Sequence, residues 1–139
     1  MTLDLANTSP PPQAGERDMS AAEAPDLVHR LRDRVAERPS QRAVRAPEGD
    51  LTYADLGRLS NQLAHMLRAL GVTRGCRVGI SLNRGARELI ALLATSKAGG
   101  TYVPLDPSQP PERLRSLCED AAPQLLILES GSSLIVDAD

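Results

Sequence analysis

Apolar residues recur with helical spacing in four stretches of the chain and with strand-like spacing in the segments between them. Ala24, Leu27, Val28, Leu31 and Val35 fall on one face of a helix that begins near Ser20. Ser20 and Glu23 have the spacing of a capping box, Pro25 suits a first turn, and Pro39 closes the segment. "AVRA" (43–46) is a short strand candidate, ended by Pro47 and the Gly49–Asp50 turn signal. Thr52 and Asp55 then predict a capped second helix with a buried stripe of Leu56, Leu59, Leu63, Met66, Leu67 and Leu70, stopped by Gly71.

"RVGISL" (77–82) alternates, with Val78, Ile80 and Leu82 on one face of a strand. A third helix over about 84–98 is apolar on nearly all sides, which predicts deep burial. Strand "TYVPL" (101–105) follows, and Pro110, Pro111 and Glu112 open a fourth helix that turns Leu114, Leu117 and Cys118 inward. "QLLIL" (124–128) is a continuous apolar run, as a central parallel strand requires. "SLIVDAD" is a last short strand, barely finished at Asp139. Strands alternating with helices at this spacing predict an α/β fold, a parallel sheet with helices on both faces. Residues 1–20, with three consecutive prolines and little apolar content, read as a disordered tail or linker, leaving 21–139 as the folded part. With Met1 opening that tail, little is expected to precede the domain.

Composition narrows this picture. At 139 residues the chain is one domain or one large piece of a domain. It is 41% apolar but only 1% aromatic, so the core must be built from Leu, Val, Ile and Ala. A net charge of −2 argues against electrostatic binding to nucleic acid or an anionic membrane. No apolar run reaches the roughly 18 residues of a membrane span, and the N-terminus lacks a secretory pattern, which assigns the chain to the cytoplasm. Of the 16 Lys and Arg residues Lys97 is the only lysine, and the 15 arginines are spread evenly.

Candidate chemistry is sparse. Lys97 precedes the Gly99–Gly100 pair, but a phosphate grip needs glycines at a helix N-terminus, and here the order is inverted. A cation in the last turn followed by glycine is an ordinary helix end. Cys76 and Cys118 lack a C-x-x-C spacing and read as small buried apolar residues. His29 and His65 have no carboxylate at a ligand spacing and face solvent or lie half-buried. Asp106, just after a strand, stands where open sheets place ligand groups, although the turn residues of "PLDPSQP" favour a turn role. No acid–base pair, activated nucleophile or metal cluster assembles, so no catalytic, cofactor-binding or metal-ligating residue is assigned.

Two stretches are more specific than their physics. "LTYADLGRLSNQLAHMLRALGV" (51–72) and "RELIALLATSKAGGTYVPLDPSQPPERLRSLCEDAAPQLLI" (87–127) resemble the first two core motifs of the amino-acid-activating adenylation domains of nonribosomal peptide synthetases. "LTYADL" is shared across the wider adenylate-forming superfamily, whereas "KAGGTYVPLDP" followed by P-x-E-R is more typical of the peptide-synthetase branch. The resemblance runs from about Asp26 to Leu128. It implies the N-terminal portion of the large lobe of such an enzyme, with ATP and Mg²⁺ as cofactors of the complete domain. The implied partners are the remainder of that domain and a carrier protein bearing phosphopantetheine.

The same resemblance implies that the phosphate loop (T-S-G-T-T-G-x-P-K-G), the substrate pocket and the lobe with the catalytic lysine lie outside these residues. Lys97 matches the lysine of the second core motif, whose role is architectural. The chain alone is therefore expected to be inactive. Two alternatives remain open at this point: a non-catalytic docking module of a synthetase assembly, and a free-standing α/β domain with a small-ligand site near Asp106.

Overall fold

A computed structural model of the chain describes residues 27–129. Helix α1 runs through 27–37. A short antiparallel pair follows, β1 (Arg42–Val44) and β2 (Leu51–Thr52), with a bulge between Arg42 and Val44. Next come α2 (Tyr53–Ala69), β3 (Arg77–Ser81), α3 (Ala86–Ala98), β4 (Thr101–Pro104), α4 (Pro111–Ala121) and β5 (Leu125–Leu128). The expected Ser20–Glu23 cap, the tail over 1–20 and the strand in "SLIVDAD" lie outside the described residues.

The three longer strands form a parallel sheet in the order β4-β3-β5. Chain order then dictates where the helices go. The β3–β4 and β4–β5 connections run in opposite directions across the sheet, and both keep the right-handed sense only with their helices on opposite faces. The packing follows. Val78, Ile80 and Leu82 meet Ala64 and Leu67 of α2 and Ala91, Ala94 and Ala98 of α3, while Leu105, Leu126 and Leu128 meet Leu114 and Cys118 of α4. A third cluster, Leu31, Leu56 and Leu93, fastens α1 and the small hairpin over α2 and α3.

Three expectations are corrected here. β3 is buried on both faces, Val78 through Ser81, because it is the central strand; β5, expected to be central, is an outer strand among the described residues and only half-buried. The buried face of α2 is Leu56, Gly57, Ser60, Ala64 and Leu67, whereas Met66 and Leu70 are 59% and 63% exposed. The predicted stripe was centred on the largest residues, but a close neighbour selects the smallest. β2 was not anticipated at all, since two residues carry no periodicity.

The helix ends follow the sequence closely. Thr52 Oγ1 accepts the Asp55 N–H while the Asp55 carboxylate accepts the Thr52 N–H, both at 3.1 Å. At the far end of α2 the Gly71 N–H donates to Arg68 O and the Val72 N–H to Leu67 O, the paired bonds of a Schellman motif. The side chain of Arg77 ties α4 to the sheet, donating from Nε to Ala121 O at 2.6 Å.

Gly79 shows how tightly the α4 face is closed. A Cβ at this position would lie 2.5 Å from Leu126 Cδ2 and 3.2 Å from Leu105 Cδ1. Strand propensity alone favours valine here, yet overpacking dominates. Gly79→Val is expected to lower unfolding stability by about 1–3 kcal/mol in urea titration. An unchanged or raised midpoint would contradict the close approach.

Candidate functional site

Lys97 sits in the last turn of α3, but its ammonium does not cap that helix. It reaches across to α2 and donates to Ser60 Oγ at 2.7 Å, Asn61 Oδ1 at 2.8 Å and Gly57 O at 3.4 Å. The α3 carbonyl of Lys97 is instead met by the Arg68 guanidinium from α2. The two cations are thus exchanged between the helices, each satisfying a group on the other. Burial, and then the nearby charge of Arg32, push the Lys97 ammonium below the usual lysine range. The three acceptors around it are all neutral. These bonds crosslink the end of α3 to α2.

The glycine pair leaves no phosphate cradle. Gly99 takes a left-handed φ of 94° and its N–H donates to Ser96 O; the Gly100 N–H donates to Thr95 O. Both donors are spent on closing α3. Gly100 is required for space, because a Cβ would come within 3.0 Å of Val72 Cγ1 and 3.2 Å of Cys76 O. The residues present do not fit a nucleotide phosphate at this junction.

The opposite end of the sheet, where the strands finish, is the more natural ligand position. The chain leaves β3 and β4 toward opposite faces, which makes their carboxyl ends a topological switch point, where open α/β sheets bind ligands. Asp106 stands there. Its Oδ1 accepts the Ser108 N–H at 2.9 Å and the Ser108 hydroxyl at 2.8 Å. Those bonds, with a smaller contribution from Arg84, hold its carboxyl below the usual carboxylate range. The turn role is the one the geometry supports. Nearby, Arg87 at the start of α3 pairs with Glu129 beyond β5 at 2.8 Å, and a Cβ on Gly85 would approach Glu48 Oε1 to 3.3 Å. Acidic side chains already face the N-terminal end of α3.

The remaining candidates separate. Among the described residues no group of three or more His, Cys, Asp or Glu side chains could hold a metal. His29 and His65 are both exposed. Cys118 is buried among α4 contacts, as expected, and burial raises its thiol. Cys76 departs from expectation: it is half-buried in a polar turn, where the Thr73 N–H at 3.4 Å lowers its thiol. Sequence reasoning missed Ser60, Asn61 and Arg68 as partners of the α3 end. The available signal was the small-residue spacing of Gly57, Ser60 and Ala64, which marks a close helix contact.

The Asp106 turn has a pH signature. Because the folded state depresses this pKa, its stabilising contribution is present above the unfolded pKa and is lost as pH falls through the folded one. Asp106→Asn keeps an acceptor for Ser108 but no charge. Its urea midpoint is expected to lie below that of the natural chain at neutral pH, and the gap to close on acidification below pH 3.8. A gap independent of pH would show that the charge plays no part.

Comparison with known proteins reaches the same family as the motifs. A model of the AMP-binding enzyme family matches residues 31–138. AMB antimetabolite synthetase AmbB of Pseudomonas aeruginosa is 40% identical over 121 residues, covering 86% of this chain and 10% of the relative. Nonribosomal peptide synthetase ungA of Aspergillus violaceofuscus is 41% identical over 112 residues, covering 80% of this chain and 1% of that protein. The chain therefore spans a tenth or less of the length of these relatives. Among solved structures, holo-AB3403, a four-domain nonribosomal peptide synthetase bound to AMP and glycine, superposes with a TM-score of 0.74 at 32% identity over 87% of this chain and 9% of its own. VinN in complex with 3-methylaspartate gives 0.71 at 30% identity over 74% of this chain and 29% of its own. The chain belongs to the AMP-binding enzyme family, and over most of its length it is similar to nonribosomal peptide synthetases.

Proposed function

We propose that these residues supply the N-terminal scaffold of an amino-acid-activating adenylation domain. The complete domain, in this reading, joins an amino acid to the α-phosphate of ATP with Mg²⁺, releases pyrophosphate, and passes the aminoacyl group to the phosphopantetheine thiol of a carrier protein. The observation that carries the proposal is identity of 40–41% to synthetase proteins over most of the chain. A solved neighbour bound to AMP and glycine supports the same chemistry.

The share these residues take is structural. Adenylyl transfer requires donors aimed at the charge that develops on the phosphate. Lys97, the Gly99–Gly100 amides and Asp106 are each committed to internal bonds. Among the described residues β4 and β5 each have one strand edge without a partner, which suits continuation of the sheet by the remainder of the domain. Activity is proposed to need that remainder, in the cytoplasm, on the same chain or another.

The test is ATP–pyrophosphate exchange. The 139 residues alone are expected to give none, and addition of a cognate fragment beginning at the phosphate loop is expected to restore it. Exchange by the chain alone would overturn the proposal. Failure of every cognate downstream fragment would also count against it, and capture of another synthetase chain without activity would favour a docking module.

A further inference from the structure

A groove of about 840 Å³ lies between α1 and α2, on the side where Lys97 emerges. Its floor is apolar, from Leu31, Val35 and Ala64, and its walls carry Arg32, Arg58, Arg68 and Lys97, with His65 at the rim. Among the described residues one carboxylate, that of Asp55, answers this charge: it meets Arg58 at 3.6 Å and is also held in the α2 cap. Among the described residues Arg32, Arg68 and Lys97 form no ion pair. Arg32 and Lys97 instead repel each other across the groove. A chain of net charge −2 thus gathers cations over an apolar floor, the surface an acidic amphipathic segment complements.

We propose that the occupant is the acidic stretch of this same chain, within residues 1–26. Those residues carry Asp4, Glu16, Asp18, Glu23 and Asp26 against a single Arg17, and include Leu3, Leu5 and Met19 for the apolar floor. They lead directly into α1, whose residues Val28, Arg32 and Ala36 line the groove. The groove follows α1 for about 12 Å at 1.5 Å per residue. An extended chain covers that in four or five residues at about 3.3 Å each, so reach imposes no limit. Tethering raises the local concentration to the order of millimolar, so weak contacts suffice. This docking does not depend on the adenylation reading, since it concerns contacts within these residues.

The lone lysine makes the test specific. Carbodiimide joins a carboxylate to an amine only where the two touch, and Lys97 is the chain's single ε-amine. Peptide mass mapping of the treated full chain is expected to find Lys97 joined to an acidic residue within 1–26. The yield should fall about tenfold in Arg32→Ala and in the triple variant Asp4→Asn, Glu16→Gln, Asp18→Asn. It should also fall in 1 M salt, where screening shortens to about 3 Å. Urea titration of the triple variant separates loss of docking from loss of folding: an unchanged midpoint with lowered coupling is expected. Coupling of Lys97 only to carboxylates within 27–129, only to a second copy in a mixture of ¹⁴N and ¹⁵N chains, or to nothing would overturn the proposal.

Discussion

The close approach of α2 to α3 is the constraint on which the rest of this structure depends. Helices can meet at short range only where side chains are small, and α2 offers Gly57, Ser60 and Ala64 along its buried face. α3 answers with Ala91, Ala94 and Ala98 toward the sheet and the seam. Polar groups enclosed by such a contact must find partners, or each costs about 1–3 kcal/mol. They do: the Ser60 hydroxyl donates to Leu56 O at 2.7 Å and accepts from the Lys97 ammonium, while Arg68 satisfies the carbonyl that Lys97 leaves behind.

That seam explains the second core motif as a physical object. Lys97 sets the distance between the helices, Gly99 turns the chain through a left-handed residue, and Gly100 passes where no side chain fits. The backbone then enters β4 beside β3, with the Thr101 N–H donating to Cys76 O at 2.7 Å. Asp106 closes the strand with its own turn. Lys97, Gly99, Gly100, Thr101 and Asp106 therefore each serve the junction between a helix and a parallel strand. In the proposed reading the motif contributes architecture, and the chemistry belongs to the remainder of the domain.

Much of the fold was legible because its signals are local. The Thr52–Asp55 box, the glycine stops and the proline-led start of α4 each act within a few residues, and all are where the sequence puts them. What failed was non-local. No periodicity tells which strand of a parallel sheet is central, so β5 was expected there and β3 takes the place. Nor does the pattern say that α2 packs by its smallest residues, which leaves Met66 and Leu70 in solvent. The Lys97 site was half legible: dipole arguments removed phosphate binding, but the partners on α2 lie 36 to 40 residues away and give no sequence signal.

The central claim is that Lys97 fixes architecture by bonding to α2. A double-mutant cycle of Ser60→Ala and Lys97→Met, read by urea unfolding of the full chain, tests it most directly. The account predicts a coupling energy of about 1 kcal/mol or more, as for a hydrogen bond to a charged donor that is partly open to solvent. Coupling within about 0.3 kcal/mol would mean that the two side chains act independently, and the account would be wrong.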